Sequence, residues 1–313
     1  MRIAEQNWGA WGPAQILETE QWRLKWLPGF GGTLIELFHR PSATQLLRVP
    51  SGPEVLAQEP YVYGMPLLFP AGRIAGGICR VENTVWQWPR NDSAGPNHLH
   101  GFLWNTPFDP GVESAPGHVR FTPAASTAAR LQEMMGQPLS VSVEYTVGTT
   151  VEITVEVRNL GDGFVPFGLG FHMNVLLERP WTVRLPEGKE WVMGRDLMPT
   201  GQFWPAGHTL QGLDSGRAAA DLVCDTCYRV TGPGPNQVQL CDQAGGLRAR
   251  LTCPPPFTQW VLYRPRLDSN FLSIEPYTWV HNAPNLPLSP EVTGMARLEP
   301  GHAVRSQVLW EIE

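Results

Sequence analysis

The chain has 313 residues, with 23 lysines and arginines against 29 aspartates and glutamates, and a formal net charge of −6 that leaves no basic face for a nucleic-acid partner. Its 42% hydrophobic content is enough for a sizeable core. No apolar run is long enough to span a bilayer, and Met1-Arg2-Ile3-Ala4-Glu5-Gln6 has no signal-peptide core, so a cytoplasmic protein with no membrane partner is expected.

Glycine (32) and proline (31) are scattered between short apolar runs, which predicts many turns and an all-β architecture. Thirteen tryptophans fit either core filling or stacking platforms for apolar sugar faces. The five cysteines are an odd number, consistent with reduced thiols in a reducing compartment.

In chain order, Ala14–Thr19, Trp22–Leu27 and Thr33–Leu37 read as strands around Gly29-Phe30-Gly31-Gly32. Residues 50–60 read as a polar, proline-bearing loop, and Tyr61–Ile78 as an apolar stretch rich in Gly and Pro. Ala124–Met135 is the one candidate helix. Over 139–158, Val141, Val143, Tyr145 and Val147 alternate with polar residues. After Gly148-Thr149-Thr150, Val151, Ile153, Val155 and Val157 do the same, which predicts a hairpin. Residues 164–172 predict a strand with Phe167, Leu169 and Phe171 on one face and Gly168, Gly170 and His172 on the other. Further strands are expected over 222–230, 271–275 and 304–312.

In Phe271–Thr278, Leu272 and Ile274 point one way and Ser273 and Glu275 the other. Pro276 has no N–H to donate, so pairing is expected to stop at about Glu275. Glu275 is then either a solvated edge residue or a carboxylate placed for proton transfer. Arg73 follows an apolar, proline-braced run and is either a surface charge or a ligand contact. His98 and His100, if extended, face one side, as a metal pair or as hydrogen-bonding groups in a pocket. His172 sits beside two glycines that leave room for a ligand. Asp225 shares a face with Asp221 and Arg229, where an ion pair is the simplest account. Cys224 and Cys227 have C-x-x-C spacing, but on a strand their thiols diverge. Nucleotide, dinucleotide, zincin and nucleophile-elbow motifs are absent.

The series Tyr63-Gly64-x-Pro66…Pro70-x-x-Arg73-Ile74, Asn97-His98-Leu99-His100-Gly101, His172, Asp225-x-x-Tyr228, Ile274-Glu275-Pro276-x-Thr278 and Leu298-x-Pro300-Gly301 resembles the aldose 1-epimerase (galactose mutarotase) family over roughly residues 25–313. The resemblance implies a β-supersandwich with large, twisted, mainly antiparallel sheets, forming a single domain over 1–313 with a sugar cleft. It also implies Glu275 as general base and His172 as general acid, with Arg73, His100 and Asp225 binding the sugar. No cofactor and no metal are implied, and the oligomeric state is left open. Gly72 stands where the family often has Asn, so one hydroxyl contact is lost or comes from elsewhere. Trp86, Trp104 and Trp279 lie near the motifs and are candidates for stacking on the sugar.

The residue types suit the chemistry independently, because opening a cyclic hemiacetal needs one group to take the anomeric proton and another to protonate the ring oxygen. Three readings follow: an aldose 1-epimerase acting on a free sugar, a hexose-6-phosphate 1-epimerase using Arg264 and Arg266, or a catalytically silent sugar-binding protein. All three expect no metal. Chelator treatment should therefore leave anomer exchange unchanged, whereas a loss restored by zinc would bring back Cys224/Cys227 or His98/His100 as ligands.

Overall fold

The computed structural model describes residues 2–111, 115–205, 210, 212–242 and 244–313. Three antiparallel sheets dominate it. The first is a five-stranded meander running in sequence order from Arg2–Asn7 through Pro13–Glu18, Trp22–Leu27 and Thr33–His39 to Thr44–Gln45. The second has nine strands, in the order Phe108–Pro110, His118–Pro123, Leu139–Val147, Val151–Asn159, Ala303–Ile312, Leu247–Thr252, Gln237–Asp242, Thr182–Arg184 and Arg217–Ala218. The third runs Pro199–Phe203, Gly188–Met193, Cys224–Val230, Gln259–Arg264, Phe271–Tyr277, Gly170–Phe171 and Leu67–Leu68, with Asn174–Leu176 as an eighth strand also pairing with Phe271–Tyr277. The chain is thus an all-β sandwich, as its turn-rich composition implied.

The sheets close on one apolar core. Val141, Val143, Tyr145, Ile153 and Val155 from the nine-stranded sheet join Trp260, Leu262, Leu272 and Ile274 from the eight-stranded sheet in a single buried cluster. The 139–158 hairpin forms in the expected register, with Val147 opposite Val151 and Val143 opposite Val155. Alternation is what fixes that register, since a one-residue slip would turn every valine out of the core.

Two helices bear on the expectations. Helix Ala125–Met135 forms where expected; Thr127, Leu131 and Met135 are its buried stripe, and Gly136 (φ 73°) ends it in a left-handed cap. Residues 50–60 are not all loop, because Pro53–Gln58 is a short helix. Pro53 sits at its first turn, where the missing N–H costs nothing, and Glu54 favours the helix N-terminus. The proline that suggested a loop starts a helix.

The strand carrying Glu275 runs past the expected stop. Pro276 stays in register with Trp260, and Tyr277 pairs with both Gln259 and Gly170. The Ile274 N–H donates to the Met173 carbonyl. Alternate residues face the same neighbour, so the Pro276 nitrogen also faces that side, where Gly170–Phe171 and Asn174–Leu176 are separate strands. A proline is tolerated beside this gap because no ladder bond is required of it. His172 lies in the same gap: its N–H turns away to the Pro66 carbonyl, and its expected continuous strand is broken in two.

Beneath this strand the backbone packs against a tryptophan. A Cβ on Gly168 would lie 1.9 Å from the Trp279 ring, which is fully buried and donates to the Ala71 carbonyl. Gly168→Ala should therefore destabilise the protein by roughly 1–3 kcal/mol, the range for overpacking a filled core. Urea denaturation followed by tryptophan fluorescence measures it, and an unchanged midpoint would contradict this packing.

Candidate active site

Cross-strand pairing builds one wall of the site. Cys227, Val261 and Glu275 are aligned across three neighbouring strands, and Asp225, Tyr263 and Ser273 form the adjacent row. Directly paired residues share a face, so Asp225 and Glu275 project on the same side, opposite Leu272 and Ile274. Glu275 is 1% exposed, which rules out the solvated-edge reading. Its Oε2 accepts a 2.9 Å hydrogen bond from the Tyr277 hydroxyl, two residues along the same face. Its Oε1 lies 3.5 Å from His172 Nε2.

His172 is held by its own strand. The Asn174 amide donates to the His172 carbonyl and also to the carbonyls of Tyr61 and Gly64, while its oxygen accepts from Ser273. The amide thereby locks the strand gap to the neighbouring loop. Tyr61 from that loop lies nearly parallel to the His172 ring (24°, centroids 6.0 Å apart), with the His100 ring 4.9 Å away.

The opposite wall is a tight loop pair. Arg73–Ile74 and His98–Leu99 form a two-stranded ladder. His100 follows at φ 61°, an uncommon backbone for a residue with a side chain, and Gly101 follows at φ 64°. Any side chain at 101 would collide with the Phe69 carbonyl, 2.0 Å from its Cβ position. This turn separates the two histidines. His98 Nδ1 bonds the Pro89 carbonyl and Nε2 accepts from the Gly101 N–H, so both of its nitrogens serve the backbone. His100 instead turns towards Tyr277, and its Nδ1 accepts from the Gly72 N–H, leaving Nε2 as the donor. The metal-pair alternative for His98 and His100 therefore fails.

Arg73 is mostly buried and pairs with Asp92 through Nε at 3.1 Å. Asp92 is in turn held by the Asn97 amide and the Ala94 N–H. The Arg73 charge acts on His100, His172, Asp225, Glu275 and Tyr277 alike, which puts it at the centre of the group. Asp225 makes no pair with Arg229, which donates to the Glu291 carbonyl instead. All five site residues expected from the sequence, Arg73, His100, His172, Asp225 and Glu275, thus belong to one electrostatically coupled cluster.

Burial sets the protonation of this cluster. It pushes the Glu275 carboxyl well above its usual range, with the Tyr277 bond opposing and the Asp225 charge adding. It pushes the His172 imidazole down to about 3, with Asn174 opposing and Arg73 adding. Asp225 is raised by burial, against the pull of Arg73. Burial thus favours the neutral form of each member of the Glu275–His172 pair. A single proton shared by the pair makes a carboxylic acid beside a neutral imidazole in one arrangement and a carboxylate beside an imidazolium in the other.

Several expectations are corrected here. Trp86 and Trp279 are core residues, donating to the Met135 and Ala71 carbonyls, and only Trp104 lies near the site, 4.6 Å from Tyr61. Arg264 is buried and spends its guanidinium on the carbonyls of Ala220, Leu222, Leu267 and Ser269, and Arg266 pairs with Asp268 at the surface. The Cys224 thiol is pushed up to about 12 by burial, far from a metal-binding thiolate, and Cys227 is raised too. Tyr61, Asp92, Asn174, Tyr277 and His281 escaped sequence reading; of these, only Tyr277 carried a signal, two residues past Glu275 on the same face.

A sequence model of the aldose 1-epimerase family matches residues 26–310. Among solved structures, the chain is similar to a galactose mutarotase-like protein from Clostridium acetobutylicum, at 20% identity over 100% of this chain and 98% of that one, with a TM-score of 0.90. The GalM/aldose epimerase homologue from C. elegans is 18% identical over 95% and 97% of the two chains, with a TM-score of 0.76. A galactose 1-epimerase from Lactobacillus acidophilus is 16% identical over 96% and 94%, with a TM-score of 0.72. At these identities the likeness lies in the fold.

His281 gives the region a pH signature. Its ring is buried against Gly72 and Tyr277 and titrates at about 3, pushed down chiefly by burial. In the unfolded chain it takes its proton near 6.5. Between those values the unfolded state binds more protons, so stability is lost as pH falls from about 6.5 towards about 3. His281→Gln should flatten the acid slope by up to about 1.4 kcal/mol per pH unit. Denaturation midpoints across that range test this, and an unchanged slope would show that His281 is already protonated in the fold.

Proposed function

The chain belongs to the aldose 1-epimerase family, and from that premise we propose that it is an isomerase that interconverts the α and β anomers of a free sugar. The observation that carries the reading is the buried Glu275–His172 pair, with Nε2 and Oε1 3.5 Å apart. The anomeric hydroxyl and the ring oxygen share one carbon, so two groups this close can reach both at once. In the reactive arrangement Glu275 is a carboxylate and His172 an imidazolium. Glu275 takes the proton of the anomeric hydroxyl, the C1–ring oxygen bond breaks as C1 becomes an aldehyde, and His172 gives its proton to the ring oxygen. Rotation about C1–C2 and the reverse transfers close the ring as the other anomer. No net proton, electron or atom enters or leaves.

Arg73, His100 and Asp225 would hold sugar hydroxyls around this pair, and the Tyr277 hydroxyl bond favours the ionised form of Glu275. The 6-phosphate alternative lacks support, since Arg264 is committed to backbone carbonyls and Arg266 to Asp268. Nor is a silent binding protein favoured: a binding site gains nothing from a buried acid–base pair that costs stability.

Glu275→Gln and His172→Asn should each lower turnover by about 10²–10⁴-fold, the usual contribution of a general acid or base. The double variant should lose less than the product of the two, because the groups act as a unit. Asp225→Asn should act mainly on the Michaelis constant. Anomer exchange measured by NMR, with circular dichroism as the folding control, decides these points; near-normal turnover in folded Glu275→Gln would remove Glu275 from the reaction.

A further inference from the structure

The buried histidines of this chain differ in what satisfies them. His98 spends both ring nitrogens on backbone. Among the described residues, the buried imidazole nitrogens without a hydrogen-bond partner are Nδ1 of His172 and both nitrogens of His281. The first belongs to the reacting pair. His281 is 2% exposed and takes no part in the proton transfers. The Leu197 carbonyl lies near enough to favour a proton on its ring, but outside ordinary hydrogen-bond geometry, and it could serve only the nitrogen that carries that proton. Leaving a buried polar group unpaired is costly, so the His281 ring points to a partner from outside the chain.

Backbone bonds fix His281 against the site. The Val280 N–H donates to the Thr293 carbonyl and the Asn282 N–H to the Arg73 carbonyl, which anchors the residues on either side of it. Asn282 is in the left-handed region, at φ 59°, and its side-chain oxygen accepts from the Ala75 N–H. The ring is thereby laid against Gly72. A Cβ on Gly72 would come 2.5 Å from His281 Cδ2 and 3.2 Å from Nε2, so the imidazole fills the space that a side chain at 72 would take. Gly72 itself donates to His100 Nδ1, and the Tyr277 ring centroid lies 5.8 Å from that of His281 and 6.5 Å from that of His100. His281 thus continues the wall formed by Arg73 and His100, and the charges of Arg73 and His172 both act on it.

Burial keeps this ring neutral at ordinary pH, with one nitrogen a donor and the other an acceptor. A hydroxyl group matches both, since it can give and take a hydrogen bond. A fully ionised phosphate offers only acceptors, and a neutral ring gives it no opposite charge. We propose that His281 binds a sugar hydroxyl away from the anomeric carbon and so determines which aldoses are accepted. The assignment rests on the anomer-exchange reading above and deepens it from the reaction to the choice of substrate. Glu275 and His172 serve the anomeric hydroxyl and the ring oxygen, so in a pyranose the hydroxyl on His281 is one of those at C2, C3, C4 or C6.

Two measurements test this. In the first, wild-type protein with nitrogen-15-labelled imidazoles is titrated with glucose, with galactose and with their analogues deoxygenated at C2, C3, C4 or C6, and the peak lost in His281→Gln assigns the ring. The parent sugar should move the His281 nitrogen shifts, and one deoxy analogue should bind without moving them. In the second, His281→Leu, confirmed as folded by circular dichroism, should raise the Michaelis constant for the parent sugar about tenfold with turnover little changed, the effect of losing one or two hydrogen bonds made in ground and transition states alike. For that same deoxy analogue, wild type and variant should have equal constants, whereas a merely structural ring would raise every constant alike. Shifts that stay in place at saturating sugar, an equal rise for every analogue, or an unchanged constant for the parent sugar would each overturn the assignment. If no sugar exchanges anomers, the catalytic reading fails, and the shift titration of wild type alone decides the contact: shifts moved by the parent sugar and not by one analogue uphold it, and unmoved shifts refute it. The same titration decides if His281→Leu does not fold.

Discussion

The site depends on a carboxyl group and an imidazole removed from water together. Burying either charge alone would be costly, and burial shifts each group towards its neutral form. Side by side, the two can pass from both neutral to both charged without exchanging a proton with solvent. The neighbours determine how nearly balanced those arrangements are. The Tyr277 hydroxyl favours the carboxylate, the Asp225 charge disfavours it, and the Arg73 charge favours it while disfavouring the imidazolium. Arg73 is in turn moderated by Asp92, which is itself saturated by Asn97 and Ala94. A reversible reaction is best served by two nearly equal arrangements, and opposing contributions can provide them where one strong partner would not.

Backbone irregularity supplies the positions. His172 occupies a gap between two short strands, closed by the Asn174 amide. Next to it, Pro276 tolerates the missing ladder bond. His100 takes a left-handed conformation that costs of order 1–3 kcal/mol, and reciprocal bonds with Gly72 help to hold it: the His100 N–H donates to the Gly72 carbonyl, and the Gly72 N–H to His100 Nδ1. The regular strands carry Asp225 and Glu275, while the gap and the loop carry the two histidines. A rigid sheet thus presents the carboxylates, and conformations that a sheet cannot adopt present the imidazoles.

Much of this was legible from residues. Alternation exposed the 139–158 hairpin and the two faces of Phe271–Tyr277, because a half-buried strand leaves a period of two in the sequence. The site residues came from a motif series, since nothing local distinguishes a buried glutamate from an exposed one; burial of Glu275 follows from the strands packed on either side, which are distant in sequence. The pairing at Pro276 was misjudged because the missing N–H matters only on the side it faces, and that side was a gap. His98 and His100 do not share a side because His100 itself lies at positive φ, outside the extended conformation on which that expectation depends. Tyr61, Asn174 and His281 carry no local signature, as their roles exist only once the loop between Pro53–Gln58 and Leu67–Leu68 meets the third sheet.

Tyr61, Arg73, His100, His172, Asp225 and Glu275 come from widely separated stretches of the chain. Non-local pairings of this kind pay the entropy of closing long loops before any contact repays it, which slows folding of β-rich chains. No contiguous half of the sequence contains both the carboxylate and the loop that faces it. A growing or partly folded chain would therefore have no weakly working precursor of the site. The acid–base pair would be assembled in the same late step that completes the third sheet, so the return of activity would track the last stage of folding more closely than the return of β structure.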